Sequence, residues 1–226
     1  MEQAFVTPSI NGYDKAIGEY LHSLLLSIKN VDISFIRFDG TDNKKDIEHV
    51  ERVFAYELYH QWCNNSIISK NKNLMVNAEI PKVLIDENRE KKIPIMYPDL
   101  LLHHGQNVFK GNLIICEIKR ERYVHQDPVR LLDDLLKLRM YISPELKVKD
   151  RDDWKPYEVG VFVMTIRKDV QPICSLSLVR EYLKKAESIK TTKNIPNDDL
   201  NRQIVCVVYN GNELKYDTLH NIINEI

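Results

Sequence analysis

The sequence predicts an α/β fold with a mixed β-sheet flanked by helices. Three observations carry that prediction. Segments with apolar residues at helical spacing alternate with short apolar runs along the chain. Residues 97–119 place two such runs, Leu100–Leu102 and Leu113–Cys116, on either side of a polar loop holding Gly105, Asn107, Gly111 and Asn112. That is the pattern of two short buried strands joined as a hairpin. Val159–Ile166 is a continuous β-rich apolar run of the kind a central strand shows.

Taken in order, residues 12–29 read as a helix with Ile17, Tyr20, Leu21, Leu24 and Leu25 on its apolar face. Ile33–Phe38 alternates like a strand. Thr41, Asp42 or Asn43 then caps a second helix with Ile47, Val50, Phe54, Leu58 and Trp62 inward. Leu74–Ile80 reads as a strand and the charged stretch 81–96 as a loop, after which the hairpin follows. Asp127-Pro128 starts a strongly leucine-rich helix that ends near Tyr141, because proline suits the first helical turn. Residues 147–156 read as a loop, Val159–Ile166 as a strand, and Ser175 or Ser177 opens a helix to about Lys190. After a polar connector at 191–202, Ile204–Tyr209 reads as a strand, Asn210-Gly211-Asn212 as a turn and Thr218–Ile226 as a short helix. A length of 226 residues suits one large domain, expected to span 1–226.

Composition narrows the function classes. Apolar residues make up 43% and charged residues 29%, an ordinary globular balance, and no run is long enough to span a bilayer. The N-terminus lacks the layout of a secretory signal, and Cys63, Cys116, Cys174 and Cys206 are too far apart for a zinc or redox motif. A cytoplasmic, reduced protein with no membrane partner is the expectation. With 32 basic and 33 acidic residues the net charge is −1, so no basic excess points to strong non-specific nucleic-acid binding. A local cluster, Lys110, Lys119, Arg120, Arg122 and Arg130, surrounds the hairpin but is diluted by Glu117, Glu121 and Asp127.

Charged residues sit at particular places on the hairpin. Asp99 opens the first strand, while Glu117 and Lys119 close the second. Strand alternation puts Glu117 and Lys119 on one face and Ile118 on the other. An antiparallel hairpin brings Asp99 beside that pair. The chain contains six Asp/Glu-x-Lys matches, of which only Glu117–Lys119 closes a strongly apolar strand, and Pro98-Asp99 is its one Pro-Asp pair. Two carboxylates and a lysine at one sheet end read as a metal-dependent hydrolytic site. On the second helix, Glu51 and Glu57 lie on or beside the apolar stripe, which is costly unless the acid is paired or faces a metal.

With these residues in view, the chain resembles the PD-(D/E)XK phosphodiesterase superfamily. Pro98-Asp99 and Glu117-Ile118-Lys119 match its motif without substitution. The helix Glu51–Tyr59 is similar to the superfamily's first core helix, which often carries an acid. The helix holding Asp133, Asp134, Lys137 and Tyr141 is similar to the one after the Glu-x-Lys strand in small bacterial members. The hairpin looks especially like uncharacterised bacterial members. The similarity covers roughly residues 45–166, with 1–44 as a helical N-terminal extension.

The resemblance implies a restriction-endonuclease-like core and a nuclease, endo- or exo-acting, that hydrolyses phosphodiester bonds of nucleic acid, DNA foremost. It implies that Asp99, Glu117 and the Ile118 carbonyl hold Mg2+, or Mn2+, while Lys119 orients the attacking water and stabilises transition-state charge. Glu51 or Glu57 would add a further contact, Glu51 being preferred because its distance from Leu58 suits the superfamily's helix. His103, Arg120 and Arg122 are candidate phosphate contacts. A homodimer or a partner subunit is expected where site preference is needed. Two rival expectations stand beside this one: a catalytically idle scaffold or binding protein of the same fold, and a non-nuclease α/β protein with a structural acidic cluster.

Overall fold

The computed structural model describes residues 13–37, 44–78, 84–86, 91–92, 97–105, 111–148, 155–167, 174–190 and 193–224. Helix α1 (Lys15–Asn30) is capped by Asp14, whose side chain accepts from Ala16 N at 3.3 Å. Its buried face is Ile17, Leu21, Leu24, Leu25 and Ile28. Short α2 (Ser34–Arg37), long α3 (Lys44–Asn64) and short α4 (Ser66–Ser69) follow. Trp62 Nε1 on α3 donates to Ser23 Oγ on α1 at 3.0 Å, so the buried indole is satisfied where the two helices meet.

The chain continues through β1 (Leu74–Ala78), β2 (Leu84–Asp86), β3 (Lys91–Lys92), β4 (Leu100–His104), β5 (Asn112–Arg120), α5 (Glu121–Gln126), α6 (Val129–Ile142) and β6 (Leu146–Val148). Then come β7 (Tyr157–Thr165), α7 (Ser177–Ile189), a 3-10 turn (Asp199–Gln203), β8 (Ile204–Tyr209), β9 (Leu214–Thr218) and α8 (Leu219–Asn224). Six strands form one mixed sheet in the order β1-β4-β5-β7-β8-β9. The first three run antiparallel as a meander, β5, β7 and β8 are mutually parallel, and β9 closes the edge antiparallel. Parallel neighbours need crossovers, and α6 and α7 supply them. β2, β3 and β6 make a separate three-stranded sheet. No described helix is long and apolar enough to cross a membrane.

The sheet is buried on both faces, which is why β8 is apolar throughout and β7 is so from Val159 to Met164. Ile114, Cys116 and Ile118 of β5 enter the core formed with α1 and α3. Ile115 enters the opposite core with Leu131, Leu135 and Leu138 of α6. The same alternation turns Glu117 and Lys119 toward α6. That helix lies close to the sheet because Gly160 on β7 has no side chain; a Cβ there would stand 3.3 Å from Leu138 Cβ.

Several expectations need correction. The strand expected at Ile33–Phe38 is a helical turn as far as Arg37, because Asp32 Oδ1 accepts from Ser34 N at 2.7 Å and nucleates it. Phe38 lies outside the described residues. The loop at 81–96 contains β2 and β3, and 147–156 begins inside β6. α5 and the 3-10 turn within the polar connector were not expected. Nor was β9, whose polar, half-exposed residues carry no apolar run and pair because the turn returns them to β8. The terminal helix begins at Leu219 rather than Thr218.

The turn before β9 is a demanding point. Gly211 has φ +87°, and a Cβ on it would lie 2.5 Å from Ile33 Cγ1. Gly211→Ala is expected to cost about 1–3 kcal/mol in denaturant unfolding. Adding Ile33→Ala should recover part of that loss, leaving the share due to the positive φ.

Candidate active site

β5 runs past the start of β4. Leu100 pairs with Cys116, so the next inward-facing amides of β5, Ile118 N and Arg120 N, point to where β4 has no residue left to pair. Two carboxylates take those positions. Asp99 Oδ2 accepts from Ile118 N at 2.7 Å, and Glu51 Oε1, from α3, accepts from Arg120 N at 3.2 Å. Each carboxylate thereby continues the ladder and satisfies an amide that would otherwise be unpaired.

Around this overhang the charges interleave. Lys119 Nζ lies 3.4 Å from Glu51 Oε2 and 3.7 Å from Asp134 Oδ2 on α6. Lys137, one turn on from Asp134, brings Nζ to 2.7 Å from Glu117 Oε1 and donates to Tyr97 O at 2.9 Å. Among the described residues, four carboxylates thus face two ammonium groups. Glu117 is 1% exposed, yet Glu117 Oε1 and Asp134 Oδ2 accept no aligned hydrogen bond among the described residues. Lys137 Nζ, at 2.7 Å, is the cation that Glu117 faces.

Burial raises the Glu117 carboxyl well above its usual range, Asp99 and Asp134 raise it further, and Lys137 opposes them. Asp134 is raised by burial against Lys119 and Lys137. Glu51 is raised by burial against Lys119 and the Arg120 amide. For Lys119, burial would lower the value, but Asp134, Glu51, Asp99 and Glu117 together hold the ammonium above it. The three carboxyls are raised first by burial and then by one another's negative charge, against the two lysines.

Of the residues expected at the site, Asp99, Glu117, Lys119 and Glu51 come together, with Ile118 joined to them through its amide. Glu57 does not. Six positions beyond Glu51, it is turned about 240° around α3, where it accepts from Gln61 Nε2 at 2.6 Å and lies 3.8 Å from His60 Nδ1. His103 is also misplaced by the sequence reading. It stands at the far end of β4 from Asp99, its ring bonded to Asn77 and to His104 O. Arg120 faces away from Lys119 and donates from Nη2 to Ile36 O at 2.7 Å, closing the end of α2. Arg122 is exposed and lines a neighbouring cleft.

Asp134 and Lys137 are members that the sequence reading did not assign to the site. The signal was available: like Glu51, they flank a buried apolar stripe, here Leu131, Leu135 and Leu138. No three described His, Cys, Asp or Glu side chains are grouped so as to hold a metal ion by themselves. Oxygen donors are nevertheless abundant in the carboxylates of Asp99, Glu117, Glu51 and Asp134. No family model matches the chain, and neither does any curated protein or solved structure.

The charge imbalance makes a prediction. A carboxyl with a raised folded pKa contributes stability that is full below the unfolded value of about 4.3 and lost as pH climbs through the folded one. Glu117→Gln is free of that loss. In EDTA it is expected to melt a few degrees above wild type, with the gap opening from about pH 4 upward. Lys137→Met should act oppositely, costing about 3 kcal/mol at neutral pH by leaving Glu117 without its cation. Thermal melts across a pH series check both.

Proposed function

We propose that the chain is a divalent-metal-dependent phosphodiesterase with a restriction-endonuclease-like core, acting on nucleic acid and on DNA foremost. The observation that carries this reading is the convergence at the end of β5. Asp99 binds the Ile118 amide, Glu117 lies on the same strand, and Glu51 reaches Lys119 and Arg120 from a separate helix. The order of elements supports it too. A helix with an acid precedes an antiparallel meander; Asp99 sits before the middle strand and Glu117-x-Lys119 ends the third; a helix then packs over the site. That is the arrangement the superfamily resemblance implies.

The donor set fits a hard cation. Magnesium takes oxygen ligands and keeps several waters, so one or two carboxylates suffice, and the excess of acids over lysines leaves negative charge for it to balance. Asp99 and Glu117 would hold Mg2+ or Mn2+, which when bound supplies charge against the developing phosphate oxygens and a more acidic water. The remaining work belongs to the chain. Lys119 presents its ammonium to the attacking water and to a phosphate oxygen. Glu51 and Asp134 hold that ammonium from two sides, so little reorganisation is needed as charge develops.

A second reading, a charge cluster that closes the sheet end without turnover, draws on one observation. Lys137 already lies 2.7 Å from Glu117, giving that carboxylate a resident cation.

Two measurements separate the readings. In calorimetric titration, wild type is expected to take up Mn2+ and Asp99→Ala to lose it; heat that is absent from wild type favours the charge cluster. On plasmid, linear and single-stranded DNA with Mg2+ or Mn2+, Lys119→Ala should cut about a hundredfold more slowly or worse. Glu57→Gln should retain wild-type activity. Equal cleavage by wild type and Lys119→Ala would overturn the assignment of Lys119.

A further inference from the structure

A second concavity lies beside the carboxylate cluster and shares with it only Arg120, whose backbone amide donates to Glu51. It is a cleft of about 420 Å³ at the carboxyl ends of the parallel strands β5 and β7, between α5 and α7. Crevices outside the carboxyl ends of such strands are where α/β sheets commonly take ligands. Its rim carries Arg122 from α5, Arg167 just after β7 and Lys185 from α7. Among the described residues two acids of the lining oppose them, but they are not equivalent. Glu181 is exposed, whereas Glu121 is buried in the floor and accepts the Tyr182 hydroxyl. Tyr182 is 4% exposed, and its hydroxyl also lies 3.4 Å from His125 Nδ1. Lys185 Nζ stands 5.3 Å from the Tyr182 ring centroid, a cation–π contact that holds the ammonium over the cleft.

The cleft is therefore cationic at its mouth, polar at its floor, and set in a chain whose net charge is −1. It adjoins the carboxylate cluster covalently. Lys119 ends in that cluster, and Arg122 follows three residues later, at most about 11 Å along the chain. A strand carrying negative charge at regular intervals could engage both places at once, whereas a compact ligand of the cleft would reach only one.

We propose that this cleft binds a phosphate of the nucleic acid whose scissile bond lies at the carboxylates, with Arg122, Arg167 and Lys185 as the phosphate-binding residues. The proposal rests on the phosphodiesterase reading above and adds a substrate-holding subsite to it. The phosphate is supplied either by an internal diester or by a strand end, and both present the same anionic oxygens to the same cations.

The test measures binding without turnover. Fluorescein-labelled single-stranded oligonucleotides, 5′-phosphorylated, 3′-phosphorylated or unphosphorylated, are titrated with the full chain in EDTA at low salt, and anisotropy is followed. Arg167→Ala and Lys185→Ala are each expected to weaken binding by about tenfold and to lower the salt dependence by about one counterion. Lys185 is exposed, so its variant should melt like wild type and report on binding alone. Loss of affinity for all three probes points to an internal phosphate, and loss confined to one phosphorylated probe points to that end; both support the cleft. Wild-type affinity of the two variants for every probe overturns it. The outcome is independent of the chemistry. If wild type cuts no substrate yet Lys185→Ala loses binding, the cleft stands and the phosphodiesterase reading falls. If wild type cuts and both variants bind and cut normally, the reverse holds.

Discussion

The site depends on a strand that outruns its neighbour. β5 continues two amides beyond the start of β4 while remaining paired with β7 as far as Arg120 and Thr165. Those two amides cannot be left unpaired in a buried sheet. Asp99 and Glu51 satisfy them, one from the residue before β4 and one from α3. The same hydrogen bonds that finish the ladder fix two carboxylates at the end of the strand bearing Glu117 and Lys119. Architecture and chemistry share one set of contacts.

The arrangement carries a stability cost that its placement explains. Among the described residues four carboxylates are gathered against two lysines, an unfavourable balance, and the raised carboxyl values of Glu51, Glu117 and Asp134 are its signature. A cluster built only to close a sheet end would be better served by equal numbers of each charge, or by apolar side chains. The imbalance is concentrated at one point and supported by well-packed cores on both faces of the sheet. α6 belongs to both sides of that balance. Its leucines press on the sheet over Gly160, and the same helix face delivers Asp134 and Lys137 to the charges.

Much of the fold was legible. Helices α1, α3, α6 and α7 and strands β1, β4, β5, β7 and β8 follow from apolar periodicity, because each buries a continuous stripe or face. The misreadings share a cause. β9 is mostly polar and the strands β2, β3 and β6 are only two or three residues long, too short for a pattern, so their pairing is imposed by neighbours. Ile33–Phe38 alternates by coincidence, and the Asp32 cap overrides it locally.

For the site, the sequence by itself determined Asp99, Glu117 and Lys119, since a hairpin's geometry follows from its pattern and strand alternation is strictly twofold. Only the tertiary structure decided between Glu51 and Glu57, because both flank the same helical stripe and the choice depends on where α3 crosses the strand end. It likewise removed His103, which strand direction carries away from Asp99, and Arg120, whose guanidinium follows Ile118 to the opposite face. It added Asp134 and Lys137. Their helix was evident, but what they meet depends on how closely α6 lies over β5, and that distance is set by packing at Gly160 and not by any local pattern.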